Sequence, residues 1–149
     1  MKIAIGCDEA ACEMKTSIQQ LVIAQGYDVL DFGTHDQLAV LYPDIGVAVA
    51  EAVARGEASR GLLFCGTGIG MAISANKVPG IRAAQAHDTY SAERARKSND
   101  AQILSVGARV VGLELAKVIV QAFLASEPEA RSRAKLDALA AHEQRLRQS

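Results

Sequence analysis

The sequence has no tryptophan, and aromatic residues make up 4% of its 149 positions. Proteins that bind single-stranded nucleic acid stack bases on such rings, so that function class is disfavoured. A strong charge of one sign is also missing. The net charge is −1, which argues against a basic nucleic-acid binder and against a disordered polyelectrolyte. There are only three cysteines, Cys7, Cys12 and Cys65. Their number is odd and their spacing is not that of a zinc site, so reduced thiols in a cytoplasmic protein are expected. No apolar run approaches the ~20 residues that span a bilayer, so no membrane segment is expected. Met1 leads directly into KIAIGC, which reads as a strand rather than a secretory leader.

What remains is a chain that is half apolar and long enough for one domain with a proper core. Short apolar runs alternate with helical patterns. Strands are expected at Ile3–Gly6, Tyr27–Phe32, Gly61–Cys65, Ile81–Ala86 and Ala101–Val106. Helices are expected at Glu9–Gln25, Asp44–Arg55, Thr67–Asn76, Thr89–Lys97 and Glu114–Leu124, with Gly26 and Gly56 as stops. Residues Gly33–Pro43 read as a loop. Glu129–Arg147 reads as a polar helix, too charged for a second core, that packs on a partner or closes a site. Strands such as Ile3–Gly6 and Gly61–Cys65 are continuous apolar runs, as strands buried on both faces are. This alternation predicts an α/β fold: three layers, Rossmann-like, around a five-stranded parallel sheet.

In such sheets ligands bind beyond the carboxyl ends of the strands. The first strand ends in Cys7, Asp8 and Glu9, and the fourth in His87 and Asp88. The fifth ends in Gly107 and Arg109. The third ends in CGTGIG: Cys65, Gly66, Thr67, Gly68, Ile69 and Gly70. A thiol just before a helix start gains from the dipole and free N–H groups, which favour thiolate. Adjacent glycines let backbone amides point at an oxyanion. A thiolate beside such a nest suits proton abstraction next to a carbonyl. A buried thiol before a tight turn accounts for the same residues, and spacing alone leaves both readings open. The glycines fit neither the dinucleotide fingerprint nor the P-loop. Cys7 and Cys12 read as core or helix-face thiols, and His35 and His142 as solvated. His87 reads as a proton shuttle or a helix cap. Asp8 and Glu9 read as sugar contacts or ordinary capping acids. Arg131, Arg133 and Lys135 read as a phosphate anchor or a solvated face.

The strings CGTGIGMAISANKVPGIRAAQAHDTYSAERA, ND and GARVVG closely resemble the ribose-5-phosphate isomerase B family, which includes galactose-6-phosphate isomerase subunits. MKIAIGCD, DFGT and YPD at Tyr42 to Asp44 agree, and the resemblance covers roughly residues 1 to 125. It implies an aldose–ketose isomerase working through a cis-enediolate on a small phosphorylated sugar. It implies no metal, no cofactor, and a homodimer or homotetramer with shared sites. Cys65 matches the family's base, Gly66 to Gly70 its enediolate loop, and Thr67 a residue that assists proton movement between oxygens. Asp8 and Tyr42 match sugar contacts. Asn99 and Arg109 match residues that reach a neighbour's site, and Arg131 and Lys135 fall near the family's phosphate pair.

Two positions depart from the pattern. Glu9 stands where the family has histidine, placing a carboxylate near a ligand phosphate. Ser98 stands where the family has its ring-opening histidine, and a hydroxyl is no general acid near neutral pH. His87 and Ser98 are therefore both candidates for the proton donor. D-ribose 5-phosphate is the first substrate implied. A tetrose 4-phosphate, which cannot close a furanose ring, is the alternative, because a branch acting on erythrose and erythrulose phosphates resembles this chain around the serine. A non-catalytic subunit and a redox sensor built on Cys65 are the readings from other classes. Retention of Cys65, Thr67 and Asn99 counts against the first.

Overall fold

A computed structural model describes residues 1–149. Five strands form one parallel sheet: β1 (Lys2–Cys7), β2 (Asp28–Asp31), β3 (Arg60–Cys65), β4 (Ala83–Gln85) and β5 (Ile103–Gly107). Their spatial order is β2-β1-β3-β5-β4. The helices are α1 (Cys12–Ala24), α2 (Tyr42–Ala54), α3 (Ile69–Ala75), α4 (Thr89–Lys97), α5 (Leu113–Leu124) and α6 (Arg133–Arg147), the last preceded by a 3₁₀ turn, Ala130–Ser132. The expected three-layer α/β architecture is present. None of the helices is long and apolar enough to cross a membrane.

Alternation along each strand builds two cores. Ile3, Ile5, Leu62, Phe64, Leu104 and Val106 pack with α1, α4 and α5 on one face. Ala4, Leu63, Cys65 and Ile103 pack with α2 and α3 on the other. This period of two turns the Cys65 side chain toward α3. The strand order reverses direction between β1 and β3, which leaves a crevice at the carboxyl ends of those two strands. Asp8 follows one, and Cys65 ends the other.

Several expected boundaries move, each for a local reason. The helix after Cys65 begins at Ile69 rather than Thr67, because Gly68 takes a left-handed conformation at φ 78 and caps it. The second helix begins at Tyr42 rather than Asp44, since Pro43 fits its first turn. The first helix begins at Cys12 rather than Glu9. Residues 9–11 form a turn instead, in which the Ala10 N–H donates to Asp8 Oδ1 at 3.0 Å. The fourth strand shortens from Ile81–Ala86 to Ala83–Gln85, because Gln102 Oε1 accepts the Arg82 N–H at 2.7 Å. The terminal segment packs on its own chain. Leu136 is buried, and the Glu143 carboxylate accepts the Gly80 N–H at 3.1 Å.

Candidate active site

Cys65 is 5% exposed, and its Sγ accepts the Gly68 N–H at 3.1 Å. The sulfur is the acceptor in this contact. The loop that follows is held from below. Ser105 Oγ donates to the Gly68 carbonyl at 2.7 Å, and Gln85 Nε2 donates to the Thr67 carbonyl at 2.8 Å. Thr67 Oγ1 accepts the Ile69 N–H at 3.2 Å. The amides of Gly66 and Thr67 have no backbone acceptor, so both remain free to bind an anion.

Two expected sugar contacts, Tyr42 and Asp8, lie at this edge, and so does Arg109, which was expected to reach a neighbour's site. A Cβ placed on Gly70 would stand 2.5 Å from Tyr42 Cε1, so the Tyr42 ring lies directly on that glycine. A Cβ on Gly66 would stand 3.6 Å from Arg109 Nη1, which places the guanidinium over its own chain's loop. Burial holds the Asp8 carboxyl above its ordinary range. The neighbouring Glu9 pushes it the same way, while the Ala10 amide and Arg109 pull it only partly back.

Glu9 and His87 lie at the same edge but are already engaged. The Glu9 carboxylate accepts the Val40 N–H at 3.3 Å, tying down the loop before α2. His87 Nε2 accepts the Gly107 N–H at 2.9 Å, so this nitrogen carries no proton to donate and the ring supports β5. The cap of α4 is Asp88 rather than His87: its carboxylate accepts the Ser91 N–H and hydroxyl, which holds it below its ordinary range. Cys7 and Cys12 lie with their sulfurs 3.9 Å apart, both as free thiols. Burial first, and the Cys12 thiol next, push Cys7 up to about 12, so it is a protonated core thiol.

The remaining expected residues collect elsewhere. Ser98, Asn99, Arg131 and Lys135 line a cavity of ≈ 510 Å³ together with Arg94. Asn99 precedes the amino end of β5, whereas Cys65 pairs with Gly107 at its carboxyl end. The four-residue rise between those ends is about 13 Å, so in one chain the two groups stand at opposite edges of the sheet. Ser98 Oγ accepts from Arg94 Nε at 2.8 Å, and Glu129 accepts from both Arg94 and Arg131. The Arg94 contact lowers the Glu129 carboxylate below its ordinary range, and Arg131 adds to it. Sequence reading missed Gln85, Ser105 and Arg94. Gln85 and Ser105 could have been flagged as the polar residues inside otherwise apolar strands.

Comparison with known proteins shows the family of the chain. A model of the family described as Ribose/Galactose Isomerase matches residues 3–139. Ribose-5-P isomerase B of Listeria innocua is 49% identical, over 99% of this chain and 100% of its own. D-erythrulose-4-phosphate isomerase of Pectobacterium atrosepticum is 52% identical, over 87% of this chain and 86% of its own. The solved structure of Clostridium thermocellum ribose-5-phosphate isomerase B superposes with a TM-score of 0.96 at 46% identity, covering 98% of this chain and 99% of that one.

Proposed function

This chain belongs to the ribose/galactose isomerase family and is a sugar-phosphate aldose–ketose isomerase, and we propose that its preferred substrate pair is D-erythrose 4-phosphate and D-erythrulose 4-phosphate. The observation that carries this reading is the Ser98 hydroxyl, bound to Arg94 where the resemblance calls for an acidic imidazole. A furanose must be opened by proton donation before C2 can be deprotonated. A tetrose 4-phosphate has its O4 esterified and arrives open. The 52% identity to a D-erythrulose-4-phosphate isomerase supports the same choice.

In this mechanism the Cys65 thiolate removes the proton from C2 of the aldose. The electrons pass into C1–O1, giving a cis-enediolate. The free amides of Gly66 and Thr67 offer hydrogen bonds where the oxyanion charge develops, the contribution that backbone nests make in acyl and enediolate chemistry. In this reading Thr67 Oγ1 carries a proton between O1 and O2. Cys65 then returns its proton to C1, and the ketose leaves. Asp8 and Tyr42 hold the sugar hydroxyls, and Arg109 lies beside the loop to meet negative charge.

Phosphate binding draws on a second copy of the chain. Arg109 is the cation beside Cys65, while Arg131 and Lys135 sit with Asn99 at the far edge of the sheet. A homo-oligomer that brings one subunit's Arg131, Lys135 and Asn99 to the other's Cys65 unites the two halves. The enzyme works in the cytoplasm in this reading, where phosphorylated sugars are made and used.

A second reading, D-ribose 5-phosphate as the main substrate, draws support from the 49% identity of the Listeria protein over the full chain. Assay of the purified enzyme on both substrates separates them. Turnover of the tetrose phosphate should exceed that of ribose 5-phosphate. Ser98→His should raise the ribose 5-phosphate rate, by up to ~100-fold if proton transfer limits opening, and leave the tetrose rate nearly unchanged. Cys65→Ala should lower kcat on both by at least ~100-fold. Preference for ribose 5-phosphate by the wild type sinks the tetrose reading, and near-normal turnover by folded Cys65→Ala sinks the mechanism.

A further inference from the structure

We propose that Gln85 is a positioning residue that fixes the Thr67–Gly68 peptide and so holds its N–H on the Cys65 sulfur. This rests on Cys65 being the base. Gln85 is exposed at the end of the edge strand β4. Its Nε2 donates to the Thr67 carbonyl at 2.8 Å. The N–H of that same peptide unit belongs to Gly68 and donates to Cys65 Sγ at 3.1 Å. A trans peptide points its C=O and N–H in opposite directions. The Gln85 amide and the sulfur therefore grip the two ends of one rigid plane.

This plane needs holding. Gly68 sits at φ 78, and glycine crosses between positive and negative φ with little resistance. A rotated peptide would turn the Thr67 carbonyl oxygen toward the sulfur. That orientation removes a donor from the thiolate and sets a negative dipole against it. The Gln85 bond selects the productive orientation, and by polarising the carbonyl it strengthens the N–H at the other end. Gln85 does not act alone. It lies in register with Ser105 on β5, whose hydroxyl holds the next carbonyl, that of Gly68. The two side chains thus clamp two successive peptides of the loop, one from the exposed edge and one from the buried interior.

The test uses the full-length protein and two variants, Gln85→Leu, which has no donor, and Gln85→Glu, whose carboxylate faces the Thr67 carbonyl. Iodoacetamide labelling of the Cys65 peptide, followed by mass spectrometry, gives its alkylation rate against pH. The pH of half-maximal rate should rise by about one unit in Gln85→Leu, the tenfold that one charge-assisted hydrogen bond supplies, and at least as much in Gln85→Glu. The kcat should fall with KM nearly constant, and the melting temperature should stay close to wild type because the side chain is exposed. A wild-type alkylation midpoint in both variants overturns the proposal, as does a loss confined to thermal stability. The alkylation readout needs no turnover. An inactive wild type would sink the isomerase reading, and the midpoints would still decide the role of Gln85.

Discussion

Gly107 offers a direct way to move the loop after Cys65 without replacing any of the proposed substrate-binding or catalytic residues. A Cβ at this position would lie 2.7 Å from the Thr67 carbonyl carbon and oxygen, against 3.4 Å or more for ordinary contact. The obstructing atoms are backbone, held by Gln85 and by the turn around Gly68, so no side chain can swing aside. Gly107→Ala must displace the Thr67–Gly68 peptide by about 0.7 Å. A misplacement of about 1 Å in a catalytic constellation costs on the order of 100-fold, so kcat should fall about 10- to 100-fold. Overpacking of this kind should also destabilise the fold by about 1–3 kcal/mol. Steady-state kinetics on an aldose phosphate, with urea unfolding in parallel, measures both. Gly112→Ala is the control, since nothing lies within 4 Å of a Cβ there. A folded Gly107→Ala enzyme with kcat within about twofold of wild type would refute the claim that this peptide's position matters.

Two further outcomes are expected. Arg131→Ala combined with Lys135→Ala should raise KM for a sugar phosphate by at least ~10-fold, the loss of charge-assisted contacts, with the urea midpoint unchanged because both side chains are exposed; an unchanged KM would place phosphate binding elsewhere. Burial alone would raise the Asp31 carboxyl, but the Lys15 ammonium at 2.7 Å and the Gly33 N–H at 2.9 Å outweigh it and hold it below its ordinary range. A depressed carboxylate contributes stability above its unfolded-state value and loses it as pH falls through the folded value, so the urea midpoint should drop below about pH 4, and Asp31→Asn should flatten that drop. At neutral pH the same variant should lose about 2 kcal/mol, because Lys15 is left buried without its partner; an unaltered acid limb would contradict the assignment.

The parallel sheet and the order of its elements were legible because uninterrupted apolar runs such as Leu62–Phe64 and Ile103–Leu104 fit only strands buried on both faces. The position of Cys65 at a carboxyl edge followed from the same pattern. What escaped was everything set by contacts distant in sequence. The strand order depends on which helix covers which face, and no local signal encodes it. Cys65 owes its hydrogen bond to a left-handed Gly68, three residues on, rather than to a helix beginning at Thr67. Gln85 and Ser105 drew no reading in the sequence, yet side by side in the sheet they hold neighbouring carbonyls. Arg131 and Lys135 read as a cluster on one helix. Their assembly with Ser98 and Asn99 required knowing that α6 folds back over the amino ends of β4 and β5.

The two departures from the family pattern share a physical character. A histidine at position 9 or 98 would be a group that gains and loses a proton near neutral pH. Glu9 and Ser98 are instead fixed hydrogen-bonding partners: Glu9 anchors the Val40 amide, and Ser98 receives Arg94. The second contact has a consequence for the anion cavity. Arg94 is held between Ser98 and Glu129, and Glu129 also holds Arg131. A cation presented by a fixed frame binds a phosphate at a defined distance, whereas a histidine there would serve a ring oxygen. Trading the acid for the frame is disadvantageous for a furanose substrate and harmless for an open one. The Ser98–Arg94 contact therefore supports the proposed substrate, a tetrose 4-phosphate whose esterified O4 prevents ring closure.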